Sequence, residues 1–175
     1  MHTRKAGIQD AAAISSFYES LNTSTKLLYA PHSMHKDAII QLVEDPAYLL
    51  LISEEAENIS GYQVFLKGTF PWERDRYQHY GITLLPSDAS YAPVLSDSRQ
   101  GLGLGKALLH QALPYLTEEG IQRLILWGGV QCSNVRAVNF YLSNGFRIKG
   151  FFEWEGANYD MINTIHASRN HPASL

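Results

Sequence analysis

A mixed α/β domain is what this chain predicts, and three observations carry the prediction. Segments with apolar residues at helical spacing interleave with short apolar runs rich in β-branched and aromatic residues. The two kinds alternate only in part, which points to a mixed sheet carrying helices rather than to a regular βαβ array. A length of 175 residues with 45% hydrophobic and 18% charged content suits one globular domain over residues 1–175 with a real core.

Residues 2–7 read as a first strand and 10–21 as a helix, in which Ala13, Phe17 and Leu21 recur every four residues and are expected to share the inner face. Residues 24–34, with Pro31 and several small polar side chains, read as a helical turn followed by a loop. Residues 37–44 return to helix, with Ile39, Ile40 and Val43 inward and Pro46 closing it. The apolar run 48–53 and the Tyr-, Val- and Phe-rich run 60–66 are strands joined by a polar turn. No element is assigned to residues 67–88. From there the pattern sharpens: strand 90–95, helix 101–119 stopped by Gly120, strand 123–130, helix 134–144 capped by Gly145, and a closing hairpin of 146–154 and 158–165. Pro114, inside the long helix, removes one backbone bond and is expected to kink it. The polar tail from His166 is expected to fray.

Composition excludes several function classes. A formal net charge of −3 supplies no basic field for gripping a nucleic-acid backbone. The single cysteine, Cys132, rules out an internal disulfide or a Cys-rich zinc site, and the seven histidines show no HxxxH or HExxH spacing, so no metal is expected. No apolar run reaches the roughly 18 residues of a membrane span, and no apolar stretch follows the positive charges near the N-terminus. A cytoplasmic protein without membrane or nucleic-acid partners is the expectation.

The most informative stretch is Gln100-Gly101-Leu102-Gly103-Leu104-Gly105-Lys106, between a strand and a helix. Glycines there let the backbone turn tightly, and successive N–H groups at a helix start suit phosphate oxygens. A P-loop needs Ser or Thr after its lysine and a glycine six positions before it, but Ala107 follows Lys106 and Gln100 stands where that glycine should be. A dinucleotide fingerprint fails as well: its third glycine would fall at Lys106, and the next strand ends in Trp127-Gly128-Gly129 rather than an acid. What does match is Q/R-x-x-G-x-G/A, with Gln100, Gly103 and Gly105 in register. Downstream, Val130, Asn134, Ala137, Phe140-Tyr141 and Gly145-Phe146 match V-x-x-x-N-x-x-A-x-x-F-Y-x-x-x-G-F. Over residues 94–146 the chain resembles the GNAT superfamily of acyl-CoA-dependent N-acetyltransferases.

The resemblance implies a mostly antiparallel mixed sheet flanked by helices, with two central strands splayed so that pantetheine lies between them. It implies acetyl-CoA as co-substrate, held by the backbone of Val94 and Leu95, by the loop residues Gln100, Gly101, Leu102, Gly103, Leu104, Gly105 and Lys106, and by Asn134. An N–H near Leu95 would polarise the thioester carbonyl. Asn134 and Tyr141 lie seven apart and so share a helix face. A phenol with an ordinary pKa of about 10 can protonate a departing thiolate, which makes Tyr141 the candidate general acid; core packing is its alternative role. Asn134 or Ser133 could equally cap the helix, and capping does not exclude a cofactor contact.

The implied activity is acetyl transfer to a primary amine of a small molecule or peptide by direct attack in a ternary complex; a weak acyl-CoA-binding regulatory module is the rival. A homodimer is compatible with either. No general base is assigned: Glu73, His79 and Asp88 read as solvated surface groups. Residues 67–93 form a connection much longer than a hairpin needs and carry Phe70, Trp72, Tyr77, Tyr80 and Tyr91. Trp72, Glu73 and Tyr80 there, with the loop around residues 31–35, are candidate acceptor-binding groups; anchoring an extra strand is the alternative for these aromatics.

Overall fold

The computed structural model describes residues 1–165; the tail beyond, expected to fray, lies outside the described residues. In chain order the elements are β1 (His2–Lys5), a 3-10 turn (Ile8–Asp10), α1 (Ala11–Glu19), α2 (Thr23–Leu28), α3 (Lys36–Glu44), β2 (Tyr48–Glu55), β3 (Asn58–Lys67) and α4 (Pro71–His79). Then follow β4 (Asp88–Leu95), a 3-10 turn (Asp97–Arg99), α5 (Leu104–Glu118), β5 (Arg123–Leu126), β6 (Val130–Gln131), α6 (Val135–Ser143), β7 (Arg147–Glu153) and β8 (Ala157–Thr164). β1 to β4 pair antiparallel in sequence order, β4 pairs β5 in parallel, and β5 pairs β8 antiparallel. β8 also pairs β6 and β7. The sheet is therefore mostly antiparallel, with one parallel junction at its centre, where α5 makes the crossover that a parallel pair requires.

Alternation along the strands sorts the core into two layers. Leu49, Leu51, Phe65, Ala89, Tyr91, Leu124 and Leu126 face Leu109, Ala112 and Leu116 of α5 and Tyr141 of α6. The opposite residues Leu50, Ile52, Tyr62, Val64 and Val94 face Ala11, Ile14 and Phe17 of α1 and Ile39 of α3. α4 covers that second face further along, packing Tyr77 on Ile125 and Ile162. One face thus carries two separate helical blocks, α1–α3 and α4, and the parallel junction runs beneath the place where they meet.

Four expectations are corrected. Ala13 is exposed, and the inner stripe of α1 is Ala11, Ile14 and Phe17, with Leu21 beyond it. Steps of four residues overshoot a turn by about 40°, so two such steps back from Leu21 rotate Ala13 off the buried face. The long helix starts at Leu104, not Gly101, because Gly101 and Gly103 hold φ of +77° and +75° and cannot continue a right-handed helix. It then runs through Pro114, on its exposed side, as one continuous element to Glu118. The strand expected over 123–130 breaks at Gly128 and Gly129, both left-handed, into β5 and β6. Residues 71–79, left unassigned, form α4. It is polar, but Pro71 opens it and the Glu73 carboxylate accepts the Phe70 N–H at 3.1 Å, the two devices that start a helix without an apolar stripe.

Candidate functional site

The parallel junction is short. Register pairs run only from Asp88 with Arg123 to Tyr91 with Leu126, and the Trp127 N–H adds one last bond to the Tyr91 carbonyl at 3.0 Å. β5 then turns away at Gly128 while β4 continues to Leu95. The Ser90 and Ser96 N–H groups bond to Gly68 and Ser60 on the β3 side, so the alternating peptide groups of Pro93 and Leu95 face away from β3, into the opening. Pro93 has no N–H to leave unpaired, which is why a strand position without a neighbour tolerates it. Val94, by the same alternation, turns its backbone to β3 and its buried side chain to the α1–α3 layer. Of the two expected strand contacts, Leu95 presents an N–H to the opening and Val94 does not.

The glycine loop follows directly. The Gln100 side chain donates to the Leu95 carbonyl at 3.0 Å and accepts from Arg136 of α6 at 2.7 Å, tying the loop to β4 below and α6 beside it. A Cβ on Gly101 or Gly103 would meet nothing within 4 Å, so these glycines serve backbone conformation and not close packing. Gly105 is the reverse: its φ is ordinary, and a Cβ there would lie 2.7 Å from the Phe140 ring of α6. With Gly103 as N-cap, the first N–H groups of α5 have no helical partner and point out of a turn without side-chain bulk, a fit for phosphate oxygens. Leu102 and Lys106 are exposed at its rim.

On α6, Asn134 is the N-cap: its Oδ1 accepts the Ala137 N–H at 3.2 Å, while its amide nitrogen stays available. Tyr141 is buried against Phe140 and Phe146, with ring centroids 5.0 Å from each. Its hydroxyl has no hydrogen-bond partner among the described residues, yet no fully buried side-chain oxygen or nitrogen there lacks one, so the hydroxyl reaches open space. Burial of the phenol raises its pKa above the ordinary value, which keeps its proton on.

The other face of the opening is aromatic, and sequence spacing did not reveal it. The Trp127 ring, one residue past β5, meets Phe70 edge-on at 4.8 Å, Tyr48 at 6.2 Å and His32 at 6.3 Å. Phe70 stacks on Trp72 at 5.1 Å, and Arg76 lies over the outer ring of Trp72 at 5.3 Å. These rings come from the α2–α3 loop, β2, the start of α4 and the end of β5, four places that only the fold brings together. His32 Nδ1 donates to the Ser33 carbonyl at 2.8 Å, so its neutral ring accepts the Tyr62 hydroxyl on Nε2 at 2.9 Å. Burial lowers the His32 pKa, which favours that neutral ring. Tyr29, also missed, donates to the Ala92 carbonyl of β4 at 3.2 Å.

Two expected surface carboxylates prove buried. Asp88 has no exposed surface and takes two bonds from Arg123, clasping the start of the parallel junction. Glu73, also without exposed surface, accepts from the Phe70 N–H, the Ser90 hydroxyl at 2.5 Å and the Gly128 N–H at 3.2 Å. It therefore joins α4, β4 and the turn after β5 at the apex of the opening. Burial raises its pKa while these three donors pull it down. A buried carboxylate costs several kcal/mol unless paired, and the three donors offset that cost. Expected at the surface as an acceptor-binding group, it has no exposed surface and is held by three donors of the protein. His79 is exposed on the outer side of α4, as expected. Tyr80 bonds to the Phe151 carbonyl and to Asp160, so it fastens α4 to the closing hairpin and is not brought to the Trp127 cluster. Of the three candidate acceptor groups, only Trp72 stands on the aromatic face with an exposed ring.

The acetyltransferase (GNAT) family model matches residues 14–146, from α1 through α6 and across the split strands. The chain belongs to the GNAT acetyltransferase family. No curated protein matches it significantly in sequence. Among solved structures, the GNAT domain of S. lividans PAT superposes with a TM-score of 0.73 at 19% identity, covering 93% of this chain and 89% of that one. Aminoglycoside acetyltransferase AAC(6')-Ib, in complex with coenzyme A and kanamycin, gives 0.67 at 17% identity, over 93% of this chain and 94% of that one. A chimera of spermidine N-acetyltransferase SpeG from Vibrio cholerae and hSSAT gives 0.66 at 19% identity, over 94% and 96%. At such identities the likeness is one of fold. This GNAT chain shares that fold across almost its whole described length.

Proposed function

We propose that this acetyltransferase moves an acetyl group from acetyl-CoA to a primary amine of a small molecule or peptide, by direct attack in a ternary complex. The observation that carries the reading is the opening between β4 and β5: an unpaired strand backbone runs into a left-handed glycine turn at a helix start. Pantetheine, in this reading, completes the sheet along Pro93 and Leu95, with the Pro93 carbonyl as its acceptor and the Leu95 N–H kept for the thioester carbonyl. The pyrophosphate takes the N–H groups between Gly101 and Lys106, and the free amide of Asn134 supports the cofactor from α6.

The neutral amine attacks the thioester carbonyl carbon from the aromatic face, forming a C–N bond while the carbonyl oxygen becomes an oxyanion. The Leu95 N–H is the strand donor able to stabilise that charge. Collapse breaks the C–S bond; the thiolate takes the Tyr141 proton, the nitrogen releases its surplus proton to water, and solvent reprotonates Tyr141. Fixed reactants supply much of the acceleration, since the chemistry needs no covalent enzyme intermediate.

Thiol release from acetyl-CoA, followed across a panel of amines, tests the reading. Release that depends on an amine and yields its N-acetyl product supports transfer. Acetyl-CoA binding without release for any amine would leave a binding module instead.

A further inference from the structure

Resting on the transferase reading, we infer that the acceptor is a monoamine with an aromatic or apolar body, not a polycation. The first ground is shape and surface. Five rings, Tyr48, Phe70, Trp72, Trp127 and His32, line the face onto which the strand opening gives, and none of the five is fully buried. Such a wall offers flat apolar area and ring faces that attract one ammonium group.

The second ground is charge. A polyamine or an aminoglycoside carries several ammonium groups, and each needs a carboxylate or equivalent acceptor once water is stripped away. Three of the carboxylates near this face are already committed. Glu73 has no exposed surface and serves three donors of the protein. Asp160 is paired with Arg76, and Asp97 accepts from the Asn22 N–H and the Thr25 hydroxyl. Asp45, which lies close enough to act on the Tyr48 phenol, stays exposed at the rim and caps only the Ala47 N–H. One rim carboxylate can steer one ammonium group. Arg76 stands over Trp72 with its charge matched by Asp160, so the pair offers no net negative charge to a further cation. His32 brings no negative charge at any pH.

The test compares phenylethylamine, butylamine, spermidine and kanamycin as acceptors for the full chain, by kcat/KM from thiol release. In parallel, calorimetry measures binding of the same four amines to the protein saturated with coenzyme A. Phenylethylamine is expected to lead butylamine by about tenfold and both polycations by more, in rate and in affinity. Trp72→Ala, at an exposed ring, is expected to remove most of the lead over butylamine with acetyl-CoA affinity unchanged; Trp127→Phe, which keeps a ring in the core, is expected to reduce it less. Preference for spermidine or kanamycin would overturn the inference, as would a phenylethylamine lead that survives Trp72→Ala undiminished. Absence of thiol release for every amine would sink the transferase reading alone, because the calorimetric ranking still decides the selectivity.

Discussion

The two faces of the strand opening are built on opposite plans. On the proposed cofactor side, backbone does the work: left-handed glycines at 101 and 103, a helix start at Leu104 and a strand edge at Pro93 and Leu95, all within a dozen or so consecutive residues. On the proposed acceptor side, side chains do it: His32, Tyr48, Tyr62, Phe70, Trp72 and Trp127 converge from five stretches of chain spread over nearly a hundred residues. Backbone recognition needs a local conformation and so leaves a local motif. Side-chain recognition needs only a final position, which any stretch of chain can supply. The lesson is that a shared cofactor is read from a motif, whereas a private acceptor is read from the fold.

The sharpest way to break this comparison is Gly103→Glu. A carboxylate set into the proposed phosphate turn, on backbone at φ +75°, is expected to abolish acetyl-CoA binding by calorimetry. Gly103→Ala separates the causes: it meets no atom within 4 Å, so only the backbone penalty of roughly 1–2 kcal/mol remains, which is expected to lower folding stability while acetyl-CoA affinity falls far less than in the Glu variant. Binding of the Glu variant within a few-fold of the parent would remove the loop from the cofactor site.

Tyr141→Phe comes next in size. It keeps the ring packed on Phe140 and Phe146 and deletes the proton. A fall in kcat of about 10²-fold is expected with acetyl-CoA affinity nearly constant. An unchanged kcat, with chemistry shown to limit the rate, would return Tyr141 to core packing.

Glu73→Gln probes the apex where the two faces join. A carboxamide has one acceptor oxygen and an NH2 group, so it cannot serve all of Phe70, Ser90 and Gly128. A loss of about 1–3 kcal/mol in stability is expected, read from denaturant unfolding, together with a raised KM for the amine as Trp127 and Phe70 shift. Parental stability and amine KM would mean that Glu73 does not hold the aromatic face in place.

The smallest effect concerns His32. Burial lowers its pKa in the folded chain, so between that value and the ordinary His value of about 6.5 the unfolded chain binds the extra proton. Stability therefore rises with pH through that window and is lost as pH falls through it. Around the ring, the phenol of Tyr62 accepts no charge from it, and none of the ion pairs among the described residues involves His32. A His32→Gln variant is expected to show a flatter stability profile on the acid side than the parent. Parallel profiles would mean that His32 is not buried against the Tyr62–Trp127 wall in solution.

What was legible beforehand follows the same division. Strands β2, β3 and β4 and helices α3 and α6 stood within a few residues of where periodicity and punctuation placed them, because each is decided by its own apolar pattern. α4 was not legible: its two buried residues, Glu73 and Tyr77, give no apolar stripe, and what holds it is Arg76 on Asp160 and Glu73 on Ser90 and Gly128. The break of β5 at Gly128 was half legible. The glycines marked a bend, but its direction depends on Phe152 and the Tyr159 carbonyl, each of which stands 2.8 Å from where a Cβ on Gly129 would be.

By itself, the sequence determined the mixed sheet, the glycine turn and the family, because helical and strand periods and left-handed glycines are properties of short stretches of chain. Only the tertiary structure decided that Glu73 and Asp88 are buried struts, that Pro93 and Leu95 border an opening, and that Trp127 gathers three distant rings. Burial, pairing and convergence depend on what the rest of the chain brings alongside a residue, and no local pattern of side chains carries that.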